Sequence, residues 1–88
     1  MSCSVRVASP LRSYTDGCAI VAGEGATVGD VLANLDRRYP GMRFRMIDEQ
    51  DRVRTHIRLY VNTKAVESLG VGVRPGDTLH HICALSGG

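Results

Sequence analysis

The stretch TVGDVLANLDRRY, residues 27–39, decides the fold of this chain. Its larger apolar residues recur at helical spacing and form a single stripe, made of Val28, Val31, Leu32, Leu35 and Tyr39. Thr27 is a favourable N-cap, and Asp30, three residues later, is placed almost as in a capping box and suits the positive end of the helix dipole. Pro40 and Gly41 end the helix. A helix with one apolar face requires a sheet to cover that face.

Alternating apolar residues on both sides of this helix predict the strands of that sheet. They fall at residues 4–8 and 18–22 before the helix, and at 56–62 and 79–84 after it, with a shorter segment at 65–67. Residues 11–17 read as a polar, turn-rich connection, and Gly23 to Gly25 as the break that ends the second strand. Residues 42–47 predict a short helical turn, 48–54 a charged loop, and 74–77, with Pro75 and Gly76, a tight turn.

This order of elements predicts an α+β fold in which one main helix packs across one face of a mixed sheet. We expect the last strand to lie centrally beside the first, which is the β-grasp (ubiquitin-like) arrangement. With 88 residues the chain is one domain. We assign residues 1–84 to the β-grasp domain and 85–88 to a flexible C-terminal tail.

The period of two along each strand predicts which side chains face the helix. Ile57, Leu59 and Val61 should face it, together with the set Leu79, His81 and Cys83. The opposite face then presents a mixed apolar and basic patch, made of Arg58, Tyr60, His80 and Ile82. We predict that this patch, with Leu85 and Ser86 of the tail, binds partner proteins. The alternative is scattered surface apolar residues, which are common.

Composition excludes several function classes. The net charge of +2 is small. The arginines of residues 37–58 are not interleaved with aromatic residues in a way that suggests base stacking, so a solvated face explains these arginines better than nucleic acid binding does.

Three cysteines cannot all pair, and we expect free, partly buried thiols in a reducing cytoplasm. We expect neither a signal peptide nor a membrane span.

No catalytic or cofactor-binding constellation is predicted. Adjacent strand residues His80 and His81 point to opposite faces, so with His56 they do not form a metal site. Gly23-Glu24-Gly25 lacks the lysine and the spacing of a phosphate-binding loop. His81 lies on the same predicted face as Cys83 and could in principle activate it, but so do Leu79 and the core, so Cys83 reads as a small buried apolar residue rather than a nucleophile.

The sequence ends in Gly87-Gly88. Glycine lets another backbone approach closely and leaves the last carbonyl carbon uncrowded. Taken alone, this pair is better explained as a frayed terminus, which is where disorder normally concentrates. Together with TVGDVL at 27–32, LYVN at 59–62 and PGD at 75–77, the diglycine resembles the ubiquitin-like sulfur carrier family of ThiS and MoaD, in particular its actinobacterial carriers of cysteine biosynthesis.

The resemblance implies a function for Gly88. Its carboxylate would be adenylated by an E1-like enzyme and converted to a thiocarboxylate that donates sulfur in the biosynthesis of cysteine, thiamine, molybdopterin or another metabolite. The protein would be a co-substrate rather than an enzyme and would hold no cofactor, since ATP is bound by the activating enzyme. Implied partners are that enzyme, a sulfur-accepting synthase and a metal-dependent JAMM-type peptidase. Two alternatives stay open: a modifier conjugated to lysines, and the small subunit of a molybdopterin synthase.

Overall fold

The computed structural model describes residues 2–83 and shows a five-stranded sheet with two helices. The elements are β1 Ser2–Arg6, a 3₁₀ helix Ser9–Thr15, β2 Ile20–Glu24, α1 Val28–Arg38, α2 Met42–Met46, β3 Ile57–Val61, β4 Lys64–Ala65 and β5 Thr78–Cys83. The strand order is β2-β1-β5-β3-β4. β1 and β5 are parallel and every other neighbouring pair is antiparallel. The predicted α+β, β-grasp fold, with the last strand beside the first, is confirmed.

Helix α1 begins and packs as its sequence predicts. The Thr27 hydroxyl accepts the backbone N–H of Asp30 at 3.1 Å, which satisfies one of the N–H groups left unpaired at a helix start. The apolar stripe faces the sheet and its helical members, Val28, Val31, Leu32 and Leu35, are completely buried. Tyr39 lies just beyond the helix as its C-cap and is half-buried, but it packs against the same core and so continues the predicted stripe.

The sheet face that α1 covers carries the predicted apolar residues. Ile57, Leu59 and Val61 of β3 and Leu79 of β5 are all buried. The short helical turn predicted at 42–47 is confirmed as α2. It begins after Gly41, whose φ of 92° is one that residues with a Cβ seldom adopt. Met42 and Met46 of α2 are fully buried in the same core, so α2 lies on the helix side of the sheet.

All five strands differ by one or two residues from their predicted bounds, and the first two show why. β1 starts at Ser2 and ends at Arg6, two residues before its predicted end, because Pro10 opens a 3₁₀ helix where a polar loop was expected. β2 runs over Ile20–Glu24 rather than 18–22. The prediction that Gly23 breaks β2 is wrong. A Cβ on Gly23 would lie 2.8 Å from Cγ1 of Val31, so this glycine lets the helix approach the strand closely.

The described part of the chain contains no helix that is both long and apolar enough to cross a membrane. The predicted tail, residues 85–88, lies outside the described residues, as do Met1 and Ala84.

The substitution Leu35→Ala tests the orientation of α1. Because Leu35 is fully buried under the sheet, the truncation should lower the free energy of unfolding by about 2–5 kcal/mol. Urea denaturation followed by circular dichroism measures this loss. Arg37→Ala, an exposed position on the same helix, is the matched control and should change stability by less than about 0.5 kcal/mol. Equal stabilities for the two variants would contradict the packing described here.

Candidate functional site

The predicted partner-binding residues of β3 and β5 lie together on the uncovered face of the sheet. The register places Arg58 directly opposite Ile82, and Tyr60 directly opposite His80. Side chains at directly opposed positions of antiparallel strands touch one another. Arg58 and Ile82 are exposed, whereas Tyr60 and His80 are half-buried. The prediction that these four residues form one patch is confirmed; their role in binding a partner stays a prediction.

Two further residues extend this patch and were missed from the sequence. In the parallel pair Arg6 lies opposite His80, and in the β1–β2 pair Ile20 lies opposite Arg6. A row therefore crosses the sheet from Ile20 through Arg6 and His80 to Tyr60. Alternation along β1 already points Arg6 outward, but only the strand order places it next to His80. We call these six residues the open face: Arg6, Ile20, Arg58, Tyr60, His80 and Ile82.

The open face is unusual because it exposes large aliphatic side chains. Ile20 is 54% exposed and Ile82 is 45% exposed. The guanidinium of Arg58 donates to the backbone carbonyls of Thr55 and Ile57, each at 3.1 Å, which holds its charge at the edge of the patch. Apolar area rimmed by fixed positive charge is typical of surfaces that bind other proteins.

A groove lies beside the open face at the end of β5. Its volume is about 580 Å³, and it runs between the strand end, His80 to Cys83, and the segment from Val7 to Pro10. The Arg12 side chain closes one side of it, where Nε donates to the Val7 carbonyl at 3.0 Å. The groove is lined by the last described residues of β5, and residues 84–88 follow this strand in the sequence.

His81 lies on the covered face of β5, as predicted, and is only 3% exposed. Its Nδ1 accepts the backbone N–H of Ala8 at 3.2 Å, and its Nε2 lies 3.8 Å from Sγ of Cys83. Burial lowers the pKa of His81 from 6.5 to about 4, because the charged imidazolium would lose its hydration. At neutral pH the ring is therefore uncharged, and it ties the end of β5 to the segment after β1.

The three cysteine thiols are free. Cys3 is buried and Cys83 is half-buried, but Cys18 is exposed, so the prediction of partly buried thiols is wrong for Cys18. Burial raises the pKa of the Cys83 thiol, which keeps it protonated at neutral pH. Cys83 packs against the core, in agreement with its interpretation as a small apolar residue.

The three histidines do not come together. His80 lies on the open face, His81 lies on the covered face, and His56 is exposed in the turn before β3. Within residues 2–83, no three His, Cys, Asp or Glu side chains are grouped so that they could hold a metal ion.

The mixed sheet with a parallel central pair, one long helix across it and one uncovered face defines a ubiquitin-like β-grasp protein. The model of the ThiS family matches residues 5–88, and the chain belongs to that family. It is 29% identical to the sulfur carrier protein CysO of Mycobacterium tuberculosis over 93 aligned positions, covering 100% of both chains.

Solved structures show the same fold. CysO in the BexX/CysO complex of Amycolatopsis orientalis superposes with a TM-score of 0.91 at 31% identity, covering 98% of this chain and 99% of that one. SAMP1 of Haloferax volcanii superposes with a TM-score of 0.82 at 27% identity over 100% of both chains.

The lowered pKa of His81 predicts a loss of stability in mild acid. Unfolding exposes the imidazole and returns its pKa to about 6.5, so between pH 6.5 and 4 the unfolded chain binds a proton that the folded protein does not. The free energy of unfolding should therefore be highest above pH 6.5. It should fall as the pH drops towards 4, by up to about 3 kcal/mol. Urea denaturation at pH 7 and at pH 4.5 measures the change.

His81→Leu is the control, since it removes the titrating group and should flatten this pH dependence. The titration of Asp48 and Asp77 contributes little to the difference in stability between pH 7 and pH 4.5. Backbone N–H groups lower the pKa of Asp48, and the Arg74 N–H with the Asn62 side chain lowers that of Asp77, so the stability from both carboxyls is lost only below about pH 4. The same slope in the parent protein and in His81→Leu would show that another group is responsible.

Proposed function

We propose that this protein is a sulfur carrier, in which the carboxylate of Gly88 is activated and then converted to a thiocarboxylate. Membership of the ThiS family and full-length similarity to CysO support the proposal. The observation that carries it furthest is the position of β5. This strand is held between β1 and β3 at the centre of the sheet and ends at Cys83, only five residues before Gly88 in the sequence.

The chemistry explains why activation must come first. A carboxylate is a poor electrophile because attack on it adds negative charge to an anion. When a carboxylate oxygen attacks the α-phosphate of ATP, pyrophosphate leaves and an acyl adenylate forms. Hydrosulfide from a sulfur donor then attacks the acyl carbon, AMP leaves as the C–S bond forms, and loss of the thioacid proton gives the thiocarboxylate. The nucleotide is bound by the E1-like activating enzyme, so this chain acts as a co-substrate rather than as an enzyme.

The open face suits the docking that this chemistry requires. Residues 85–88, fully extended, span at most about 14 Å, so a partner's active site must lie within that distance of the point where the domain is held. Fixing the backbone of each residue that a partner must order costs on the order of 1–2 kcal/mol. A rigid patch on the same strand offsets that cost, and His80 and Ile82 supply it beside Arg58 and Tyr60. Leu85 and Ser86 would then follow this patch into the partner.

The partners we propose are an E1-like activating enzyme and a sulfur-accepting synthase, with a metal-dependent JAMM-type peptidase where the carrier must be released from a product. The presence of a second protein beside CysO in the Amycolatopsis orientalis complex supports a carrier that works by docking. Three free thiols suit a reducing compartment such as the cytoplasm.

A second candidate function is conjugation to lysines of other proteins through the same carboxylate. The similarity to small archaeal modifier protein 1 favours it, since the TM-score is 0.82 over the full chain. Both functions need an activated Gly88, and they differ in what attacks the acyl carbon. A sulfur nucleophile gives the thiocarboxylate, whereas a lysine amine gives an isopeptide bond. A stable complex with a large synthase subunit would instead indicate the small subunit of a molybdopterin synthase.

Deletion of Gly88 tests the proposed reaction. With the activating enzyme, ATP and a sulfur donor, the parent protein should gain the mass difference between sulfur and oxygen, as measured by intact-protein mass spectrometry. The variant lacking Gly88, and a variant with one residue added after it, should show no such gain. In both variants the terminal carboxylate no longer belongs to the second glycine of the pair at its original distance from β5. Circular dichroism should show both variants folded. Undiminished thiocarboxylate from the truncated protein would refute the assignment, and conjugates of higher mass would favour the modifier.

The double variant Tyr60→Glu/Ile82→Glu tests the open face as a docking surface. It replaces two apolar contacts by charges that a partner must desolvate, so the apparent KM for the activating enzyme should rise about tenfold or more with little change in kcat. The control is Ser13→Glu/Ala26→Glu, which adds the same charge at two exposed positions outside the open face. A KM equal to that of the control would place the docking surface elsewhere.

A further inference from the structure

The outer side of α2 exposes an aromatic ring. Met42 and Met46 of this short helix are fully buried, whereas Phe44 between them is 56% exposed. Burying a phenylalanine side chain is worth about 1.5–3 kcal/mol, so leaving the ring in water forgoes a large stabilisation. Phe44 lies on the helix side of the molecule, away from the open face.

Two arginines line the same cleft as this ring, and each is held in place by a hydrogen bond. The guanidinium carbon of Arg54 lies 4.4 Å from the centre of the Phe44 ring, and its Nε donates to the Phe44 backbone carbonyl at 2.6 Å. Nε of Arg45 donates to the hydroxyl of Tyr14 at 2.7 Å. Phe44, Arg45 and Arg54 line a small cleft of about 200 Å³. We call these three residues the Phe44 cluster.

The positive charge of the Phe44 cluster is not neutralised by the described part of the chain. Between residues 2 and 83 the one ion pair within 4.0 Å joins Arg43 to Asp51. The carboxylate of Asp48 accepts the backbone N–H groups of Gln50 and Arg52, so it stabilises its own loop and does not pair with either arginine of the cluster. Each arginine of the cluster uses its Nε within the protein, while its terminal nitrogens make no hydrogen bond to any described residue.

We propose that the Phe44 cluster docks an acidic segment of a protein partner, with a carboxylate held between Arg45 and Arg54 and an apolar neighbour packed on the Phe44 ring. Guanidinium groups bind carboxylates through paired hydrogen bonds, and arginines already oriented by their Nε bonds lose little freedom on binding. A charged rim beside an exposed aromatic anchor is the composition of a protein-binding hot spot.

Charge complementarity favours a protein segment over nucleic acid. Only two arginines are available in the Phe44 cluster, and the loop that follows α2 carries Asp48, Glu49 and Asp51, which repel a phosphate backbone running past the site. A single carboxylate of a protein partner can reach the two guanidinium groups without passing the acidic side chains of that loop. The site faces away from the open face, so the proposal does not depend on the chemistry at Gly88.

A short synthetic peptide rich in glutamate with interspersed leucine is the probe, and a peptide with glutamine in place of glutamate is its control. NMR titration of the full chain should shift the Phe44 ring signals and the Nε–H signals of Arg45 and Arg54, and should shift them less as salt is added. In Arg45→Gln/Arg54→Gln the affinity should fall about tenfold or more. Phe44→Ala keeps both Nε hydrogen bonds and should weaken binding as well.

The matched control is Arg37→Gln/Arg74→Gln, which removes the same charge from two exposed arginines whose side chains make no hydrogen bond within residues 2–83. It should bind the acidic peptide like the parent protein. Equal weakening in this control, or binding that leaves the Phe44 signals unmoved, would overturn the proposal and leave the two arginines as stabilisers of α2. Tighter binding of single-stranded or duplex DNA at the same signals would overturn it in favour of nucleic acid.

Discussion

The parallel pairing of β1 with β5 at the centre of the sheet is the constraint on which the rest of the structure depends. It joins strands from the two ends of the described chain, with Val5 opposite Leu79 and Arg6 opposite His80. Val5 and Leu79 are completely buried, so the pairing also builds the middle of the core. Because β5 is flanked on its other side by β3, the end of this strand is fixed before residues 84–88 begin.

The register of β5 is set by the turn that precedes it. The Asp77 carboxylate accepts the backbone N–H of Arg74 at 2.9 Å and the side-chain amide of Asn62 at 3.0 Å. The Asn62 side-chain oxygen in turn accepts the N–H of Thr78. Asn62 has a φ of 56°, a conformation that asparagine tolerates better than most residues. A slip of one residue would exchange the two faces of β5 and send Ile82 inward, so these contacts maintain the open face.

The sequence was sufficient for features governed by short-range patterns. The cap at Thr27, the stripe of α1 and the alternation of β3 are local, and the structure confirms them. The order of elements also predicted the place of β5 beside β1, but contacts between individual residues far apart in the sequence could not be predicted in this way. The contact of Arg45 with Tyr14 spans 31 positions in the sequence, and the place of Ile20 in the open face requires the order of three strands. Gly23 was misread because its packing against α1 has no sequence signature.

The side chains of Cys83 and His81 at the end of β5 are a poor nucleophile and a weak base, and the proposed function would require this. An acyl adenylate at Gly88 would be exposed to any nucleophile within reach of the five residues that separate it from Cys83. Burial raises the pKa of the Cys83 thiol and therefore keeps the reactive thiolate scarce. The neighbouring His81 is a weak base, since burial lowers its pKa to about 4 and its Nδ1 already accepts the N–H of Ala8. If Gly88 is activated as proposed, the burial that stabilises β5 would also keep Cys83 and His81 from attacking the activated carboxyl.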